Sequence, residues 1–482
     1  MAEAHILRDL FEGLLTYDNR GAIIPGAAES WTVSADALTY TFRLRADGRW
    51  SNGEPVQAGA FVYALRRILR PETAAKYAEI LHPLRNAAAL NRGEAPPEAL
   101  GVAAPDPRTL VIALDKPTPY LLELLTHQSA LPVHPPSVER HGDAFTRPGN
   151  LVSNGAYALR DLVPNDRITL ARNPHHYAAA ETTIRQVAFI PTPDLASAVR
   201  RFAAGELDSL ADLPGDQMAS LRRRFGDRVV LGPALGLYAL AVNTRKAPFD
   251  DLRVRRALSL VIDRTYLAEA LWGGTMSPAF SLCPPGLDHY RDPPETAGRT
   301  GLPIDHEAQA RRLLAEAGFR PGRPLRVEYR FNTTDNNRNT AVAIAEMWRD
   351  LGIETRFVYT DAKTHFAHLR DGGDFDVARM SWIADYADPQ NFLFLLRSGN
   401  DGLNPGRYAN PDFDALLDAA AGERDAAARA GLLARAETIL MRDLPWIPVM
   451  HTRSKALISP RLHGYHANLR NVAPTRFLRL DP

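Results

Sequence analysis

The sequence has a single cysteine, Cys283, among its 482 residues. One thiol cannot form an intramolecular disulfide, and it cannot build a zinc site that needs several thiolates. No stretch approaches the roughly 18 consecutive apolar residues of a membrane-spanning helix. The 57 basic residues nearly balance the 56 acidic ones, and only five of the basic residues are lysine. Charge therefore gives no reason to expect nucleic acid as a partner.

Common enzyme and metal motifs are missing as well. The chain has no GxSxG elbow, no GxxxxGK[ST] phosphate loop, no HExxH zinc helix and no GxGxxG after a strand. His175 and His176 are adjacent, so on a strand they would point to opposite faces. Asp335 and the two asparagines after it lack the glycine and glutamate of a calcium loop. The sequence therefore predicts no enzyme, no cofactor and no metal site.

Length and periodicity indicate a globular protein of two or three domains. Alternating apolar residues predict a strand at 40–44, and 150–174 is typical of a hairpin with its turn at 164–166. From 305 onwards, strands and helices alternate, with helices expected from Asp305 and from Val342. This alternation favours a largely parallel sheet that is covered on both faces.

One stretch combines a buried strand with a polar end. Residues 375–392 read FDVARMSWIADYADPQNF and begin as a short apolar run. Polar and aromatic residues then follow the carboxyl end of the expected strand, where open α/β sheets place their ligands. We interpret this end as a binding loop, and the alternative is an ordinary strand with an Asp-Pro turn.

This stretch resembles the segment ending in an A-D-Y-x-x-P turn in periplasmic oligopeptide-binding proteins, the receptors of peptide ABC importers. Other segments resemble that family in the expected order, so the resemblance covers nearly the whole chain. They are RDLFEGLL at 8–15, WSNGEPVQAGAFVYALRRI at 50–68, NGAYAL at 154–159, RNPHHY at 172–177 and NTRKAPFDDLRVRRALSLVIDR at 243–264.

The resemblance implies a fold and a division of the chain. The implied fold is α/β, a two-lobed periplasmic-binding-protein fold of type II, of the large three-segment peptide-binding class, with a hinge and an interlobe cleft. The core of lobe I is expected from residues 1–15, 138–240 and 455–482. An accessory α+β domain is expected at 16–137, and lobe II at 241–454.

The resemblance also implies which residues contact the ligand. Asp385 aligns with the aspartate that grips the amino end of the peptide, and Trp382 aligns with an aromatic residue that lines a side-chain pocket. Arg379 and Arg370 correspond to arginines that reach the carboxylate ends of longer peptides. The alternatives are a solvated turn for Asp385, a core position for Trp382 and an ordinary surface position for the arginines.

Asn337 departs from the family pattern. A relative carries a histidine there, placed to meet a peptide carboxylate, and asparagine cannot carry that charge. The preferred peptide length is therefore left open. The other candidate contacts are Tyr77, Asn243, Ser381 and Ile383.

The function that the resemblance implies is that of a periplasmic receptor, expected to be a monomer. It would capture short peptides by hinge closure and deliver them to permease subunits in the inner membrane. The alternatives are a dipeptide, a murein peptide, a metal chelate or a peptide-like antibiotic as ligand, or a cytoplasmic derivative with an enzymatic or sequestering role. The first residues show no basic region followed by an apolar stretch. We therefore expect no signal peptide in this chain, and comparison with the family pattern implies that the family's first strand is absent as well.

Overall fold

The chain forms two compact units in a computed structural model that describes residues 2–192, 194–287, 290 and 299–481. The first unit comprises Met1–Asp212 and Ala456–Pro482, and the second comprises Leu213–Lys455. Residues 213–240, which the sequence analysis placed in lobe I, fall in the second unit because a long strand there pairs with another strand of that unit. The accessory domain at 16–137 stays a prediction.

The α-helices lie in both units, and none of those described is both long and apolar enough to cross a membrane. They are α1 (Ala2–Leu10), α2 (Ala58–Leu69), α3 (Ala87–Asn91), α4 (Leu121–Leu124), α5 (Pro135–His141), α6 (Leu195–Ala203), α7 (Met218–Phe225), α8 (Leu252–Leu260), α9 (Pro303–Glu316), α10 (Asp335–Arg349), α11 (Ala362–Arg370), α12 (Gln390–Leu393), α13 (Pro411–Gly422) and α14 (Ala426–Asp443).

The strands are mostly short, apart from two long ones that begin at Val229 and Trp446. They are β1 (Leu15–Tyr17), β2 (Ile23–Pro25), β3 (Ala28–Val33), β4 (Thr39–Leu44), β5 (Val102–Asp106), β6 (Thr109–Ala113), β7 (Tyr157–Val163), β8 (Arg167–Arg172), β9 (Gln186–Phe189), β10 (Ser209–Leu210), β11 (Val229–Val242), β12 (Met276–Pro278), β13 (Arg326–Asn332), β14 (Glu354–Thr360), β15 (Val377–Ile383), β16 (Trp446–Ile458), β17 (Leu462–His463) and β18 (Arg479–Leu480).

The first unit contains a four-stranded sheet in the order β3-β4-β6-β5 and a three-stranded sheet in the order β7-β8-β9. In β4 every second side chain, Tyr40, Phe42 and Leu44, is buried, because successive residues of a strand point to opposite faces. The predicted hairpin is confirmed, since β7 and β8 pair antiparallel. Asn165 occupies their turn with a φ of 61°, which asparagine tolerates better than most residues.

The sheet of the second unit has the strand order β16-β11-β15-β13-β14, with β12 beside β16. Strand β13 runs parallel to both β14 and β15, but β11 and β15 are antiparallel. The prediction of a largely parallel sheet was therefore wrong, because the long β11 enters the sheet from the opposite direction. Helices α8, α9 and α10 supply side chains to the core on one face of this sheet.

Two helices of this unit begin earlier than predicted. Helix α9 begins at Pro303, where proline occupies the first helical position, rather than at Asp305. Helix α10 begins at Asp335 rather than Val342. The hydroxyl of Thr334 accepts a hydrogen bond from the main-chain N–H of Asn337 and caps the helix. Local capping therefore starts α10 before its apolar periodicity becomes visible.

Candidate functional site

Strand β15 has one edge that no described strand covers beyond Ala378. Its neighbour β11 pairs with all of it, from Val377 to Ile383. On the other side, β13 pairs only with Val377 and Ala378. Among the described residues, no strand pairs with that second edge from Arg379 to Ile383. An extended segment from another molecule can add to a sheet at such an edge.

Arg379 is the first residue of β15 beyond the pairing with β13, and uncharged groups hold its side chain. Its guanidinium carbon lies 5.0 Å from the ring centre of Tyr238 and 5.6 Å from that of Phe366. Its Nη1 donates a hydrogen bond of 3.0 Å to Oδ1 of Asn332. No carboxylate of the described residues forms an ion pair with it, and its buried Nε has no hydrogen-bond partner there. The positive charge is therefore oriented without being neutralised.

Asn337 holds the side chain of Asn332, which accepts the hydrogen bond from Arg379. Its Nδ2 donates to Oδ1 of Asn332 at 3.1 Å and to the carbonyl oxygen of Asn332 at 3.0 Å. The side chain of Asn337 is buried. The amide thus orients the acceptor that Arg379 uses, which favours a supporting role over direct contact with a ligand. Sequence reasoning missed Asn332 because nothing in its local sequence marks this contact.

His365, on α11, was also missed by sequence reasoning. Its Nε2 lies 2.9 Å from the main-chain oxygen of Arg379, and the ring is fully buried. Burial lowers the pKa of His365 from 6.5 to about 4. The ring is therefore neutral at physiological pH, and Nε2 carries the hydrogen that it donates to the carbonyl. The Arg379 carbonyl, on the edge that β13 leaves uncovered, is thereby already bonded within the protein.

Trp382 and Asp385 are joined through the side chain of Asn391. The indole Nε1 of Trp382 donates a hydrogen bond of 2.9 Å to Asn391 Oδ1. The main-chain N–H of Asp385 reaches the same oxygen at 3.4 Å. Trp382 also packs edge-on against Phe394, with the ring centres 6.0 Å apart. The structure thus brings together Asp385, the predicted contact of the peptide's amino end, and Trp382, the predicted lining of a side-chain pocket.

The loop after β15 is anchored by a buried ion pair. Arg429 on α14 donates from Nη1 and Nη2 to the two carboxylate oxygens of Asp388, at 2.7 and 2.9 Å. Both side chains are less than a tenth exposed. The main-chain N–H of Gln390 donates to the same carboxylate at 2.9 Å. Sequence reasoning missed this pair because its partners are far apart in the chain.

Arg370 and Asn243 lie away from this group. Helix α11 leads back toward the amino end of β15, so Arg370, its last residue, lies on the side away from Asp385. Its exposed side chain pairs with the adjacent Asp371 at 3.1 Å. Asn243 follows the last residue of β11 and donates to the carbonyl of Phe375. It is therefore about 20 Å along the sheet from the end of β15.

The other predicted ligand contacts, Ser381, Ile383 and Tyr77, lie in different parts of the fold. Ser381 and Ile383 alternate with Trp382 on β15, so they share the sheet face of Arg379, and Ile383 is 48% exposed. Tyr77 belongs to the first unit. Its ring is partly buried and lies 5.5 Å from that of His127. Its role as a ligand contact stays a prediction.

Cys283 packs beneath the loop as a buried thiol. Its Sγ lies 3.8 Å from the carbonyl oxygen of Pro389, and its main-chain N–H donates to the buried Glu437 at 2.8 Å. Burial raises the pKa of Cys283 well above its usual value. The thiol is therefore protonated at neutral pH and is not an activated nucleophile. Within the described part of the chain, no cluster of three His, Cys, Asp or Glu side chains could hold a metal ion.

The fold and the site define a class of ligand-binding protein, and comparisons with known proteins agree with this. The family described as bacterial extracellular solute-binding proteins, family 5 Middle, matches residues 22–404. The chain therefore belongs to family 5 of the bacterial extracellular solute-binding proteins and has their two-lobed α/β fold.

Comparisons with two known proteins illustrate the relationship. The periplasmic murein peptide-binding protein MppA of Escherichia coli K12 is 37% identical over 97% of this chain and 87% of its own length. The unliganded open form of MppA, described as a murein tripeptide-binding protein, has a TM-score of 0.88 at 36% identity, covering 99% of this chain and 93% of that one. Haemophilus influenzae OppA in complex with the peptide RPPGFSPFR has a TM-score of 0.79 at 35% identity, covering 99% and 94%.

Proposed function

We propose that this protein is the ligand-binding subunit of an ABC importer and that it captures short peptides with free amino ends. The observation that carries this proposal is the edge of β15 that no described strand covers beyond Ala378, with the Arg379 side chain near its start and Asp385 just beyond its end. An extended peptide can pair with such an edge through its main chain, whatever its side chains. The opposite charges at its ends suit a carboxylate and a guanidinium, which make charge-assisted hydrogen bonds.

The relatives support the same class of ligand. One is named for murein peptides, and another was crystallised with a nine-residue peptide. A murein peptide is accordingly a second candidate ligand, since MppA, a relative at 37% identity, is named for it, while Escherichia coli OppA is equally 37% identical. Competition between murein tripeptide and trialanine for the purified protein distinguishes the two ligands, since the preferred one displaces the other at lower concentration.

In this proposal the protein binds its ligand and delivers it to the permease without changing the ligand chemically. We place it in the periplasm as a monomer that docks on permease subunits in the inner membrane. Mass spectrometry of trialanine recovered after prolonged incubation should show an unchanged peptide. Sedimentation at micromolar concentration should give the mass of a single chain, and cleaved peptide or a stable dimer would contradict these parts of the proposal.

Calorimetry with trialanine and its N-acetyl derivative tests the role of Asp385. N-acetylation removes the ammonium charge, so it should weaken binding to the unchanged protein at least tenfold, which is about 1.4 kcal/mol. Asp385→Asn should weaken trialanine strongly and N-acetyl-trialanine little. Asp418→Asn serves as the control, because Asp418 is an exposed carboxylate of the same unit. Equal affinities of both peptides for the unchanged protein would refute recognition of the amino end.

A further inference from the structure

A single carboxamide oxygen connects two of the proposed ligand contacts. Asn391 Oδ1 accepts both the indole N–H of Trp382, at 2.9 Å, and the main-chain N–H of Asp385, at 3.4 Å. Asn391 is 2% exposed, so water does not compete for this oxygen. Because donors in a dry environment need a partner, the shared oxygen fixes the indole and the Asp385 main chain relative to each other.

Asn391 is in turn held by the buried ion pair described above. Its main-chain N–H donates to the carbonyl oxygen of Asp388 at 3.0 Å. The carboxylate of Asp388 is clamped by both terminal nitrogens of Arg429. A continuous chain of contacts therefore runs from α14 through Asp388 and Asn391 to Asp385. Each link in this chain is buried or partly buried, so displacement of Asn391 reaches the start of the loop.

We infer that Asn391 is a positioning residue that sets how the site distinguishes a free amino group from a blocked one. This inference rests on the proposed function. Asn391 does not need to touch the ligand for this role. It orients the main chain from which the Asp385 carboxylate projects and the ring that stands beside it. A neutral acceptor suits the task, because a cation in its place would compete with the ammonium group for Asp385.

The purely structural alternative is that Asn391 only stabilises the fold. It predicts an equal loss of affinity for every ligand when the side chain is changed. The positioning role predicts a selective loss for ligands with a free amino end. The ratio of the two dissociation constants, for N-acetyl-trialanine and for trialanine, separates these alternatives because general destabilisation moves both constants together.

The experiment measures this ratio in the full chain for four variants. Asn391→Leu removes the oxygen and keeps the size of the side chain, and Asn391→Asp restores an acceptor oxygen. Asn404→Leu is the matched control, since Asn404 is another buried asparagine of this unit and uses its amide to hold Tyr408. Asp385→Asn reports on the proposed function itself. We expect Asn391→Leu to lower the ratio about tenfold, Asn391→Asp to recover most of it, and Asn404→Leu to leave it unchanged.

A measurement without ligand accompanies this test, in case the variants bind weakly. The protein has six tryptophans, and the indole N–H signal of Trp382 is assigned in an NMR spectrum as the one lost in Trp382→Phe. In Asn391→Leu this signal should move upfield and exchange faster with solvent, and in Asn404→Leu it should stay in place.

The outcomes separate the two proposals. If Asp385→Asn leaves the ratio unchanged, recognition of the amino end fails, and the inference about Asn391 fails with it. If Asp385→Asn lowers the ratio of the two dissociation constants to about one but Asn391→Leu leaves it unchanged, only the role of Asn391 is overturned. An unchanged Trp382 signal in Asn391→Leu also overturns that role, because the shared hydrogen bond would then not exist in solution.

Discussion

The ion pair between Arg429 and Asp388 gives a sharp test of the second unit. Arg429→Met keeps much of the volume of the side chain and removes its charge, which leaves the Asp388 carboxylate buried without its counter-ion. The two side chains are 5% and 9% exposed, so solvent cannot replace the lost partner. Breaking a buried pair on one side costs about 3 to 5 kcal/mol. We therefore expect the free energy of unfolding to fall by that amount.

The assay is thermal and urea unfolding at pH 7, followed by the same measurement on Arg429→Met/Asp388→Asn. A loss of this size corresponds to a fall in Tm of about 10 °C in a unit of this size. The double variant should recover much of the loss, because it removes the uncompensated charge and still offers an oxygen to the N–H of Gln390. A double variant that is more stable than Arg429→Met is therefore the specific mark of a buried charge, rather than of lost packing.

Arg397→Met provides the matched control. Arg397 pairs with Asp418 at 2.6 Å in the same unit, but these side chains are 44% and 62% exposed. Exposed pairs contribute about 0 to 1 kcal/mol, so this variant should unfold almost like the unchanged protein. If Arg429→Met also loses less than about 1 kcal/mol, the pair is hydrated in solution, and Asp388 does not anchor the loop in the way we describe.

Three further predictions concern pH and ligand charge. Burial raises the pKa of Asp9 from 3.8 to about 6, so stability declines as pH rises from about 4 to 6, and Asp9→Asn should flatten this decline in a plot of Tm against pH. Burial lowers the pKa of His365 from 6.5 to about 4, so stability falls as pH drops through that range, and His365→Gln should reduce the fall. Arg379→Ala should weaken trialanine more than its C-terminal amide, by up to about 2 kcal/mol, and Arg379→Lys should restore only part of the loss.

Distinct outcomes would contradict these three predictions. A variant whose pH profile is displaced as a whole, with no change of slope in the stated range, would show that Asp9 or His365 does not titrate as described. Equal losses for the acid and the amide would assign Arg379 to the fold instead of to the ligand.

Patterns that are local in sequence predicted the fold well. Alternation at Tyr40, Phe42 and Leu44 predicted a strand that the structure contains, and turn residues predicted the hairpin of β7 and β8. Patterns that depend on tertiary pairing did not. The direction of β11 relative to β15 is not encoded in either strand's periodicity, so the sheet was wrongly expected to be largely parallel. Helix α10 began earlier than expected because the cap at Thr334 precedes a polar first turn.

The same division applies to the site. Arg379, Trp382 and Asp385 lie within one short segment, so one stretch of sequence could indicate all of them. The groups that orient them come from elsewhere in the chain. Asn332 lies 47 residues before Arg379, and Arg429 lies 41 residues after Asp388. A single sequence carries no signal for such contacts, because neither partner stands in a pattern that depends on the other.

The two arginines of this site show how the same residue type can serve opposite purposes. Arg429 forms a bidentate ion pair with the carboxylate of Asp388, so its charge is neutralised by the group that anchors the loop. Arg379 is held by two aromatic faces and one amide oxygen. These groups restrain a guanidinium without cancelling its charge. A carboxylate in the place of Asn332 would bind Arg379 more tightly and would also compete with any anionic ligand. Under the proposed function, the neutral neighbours leave the charge of Arg379 available to the ligand, whereas the charge of Arg429 is paired with Asp388 and holds the loop.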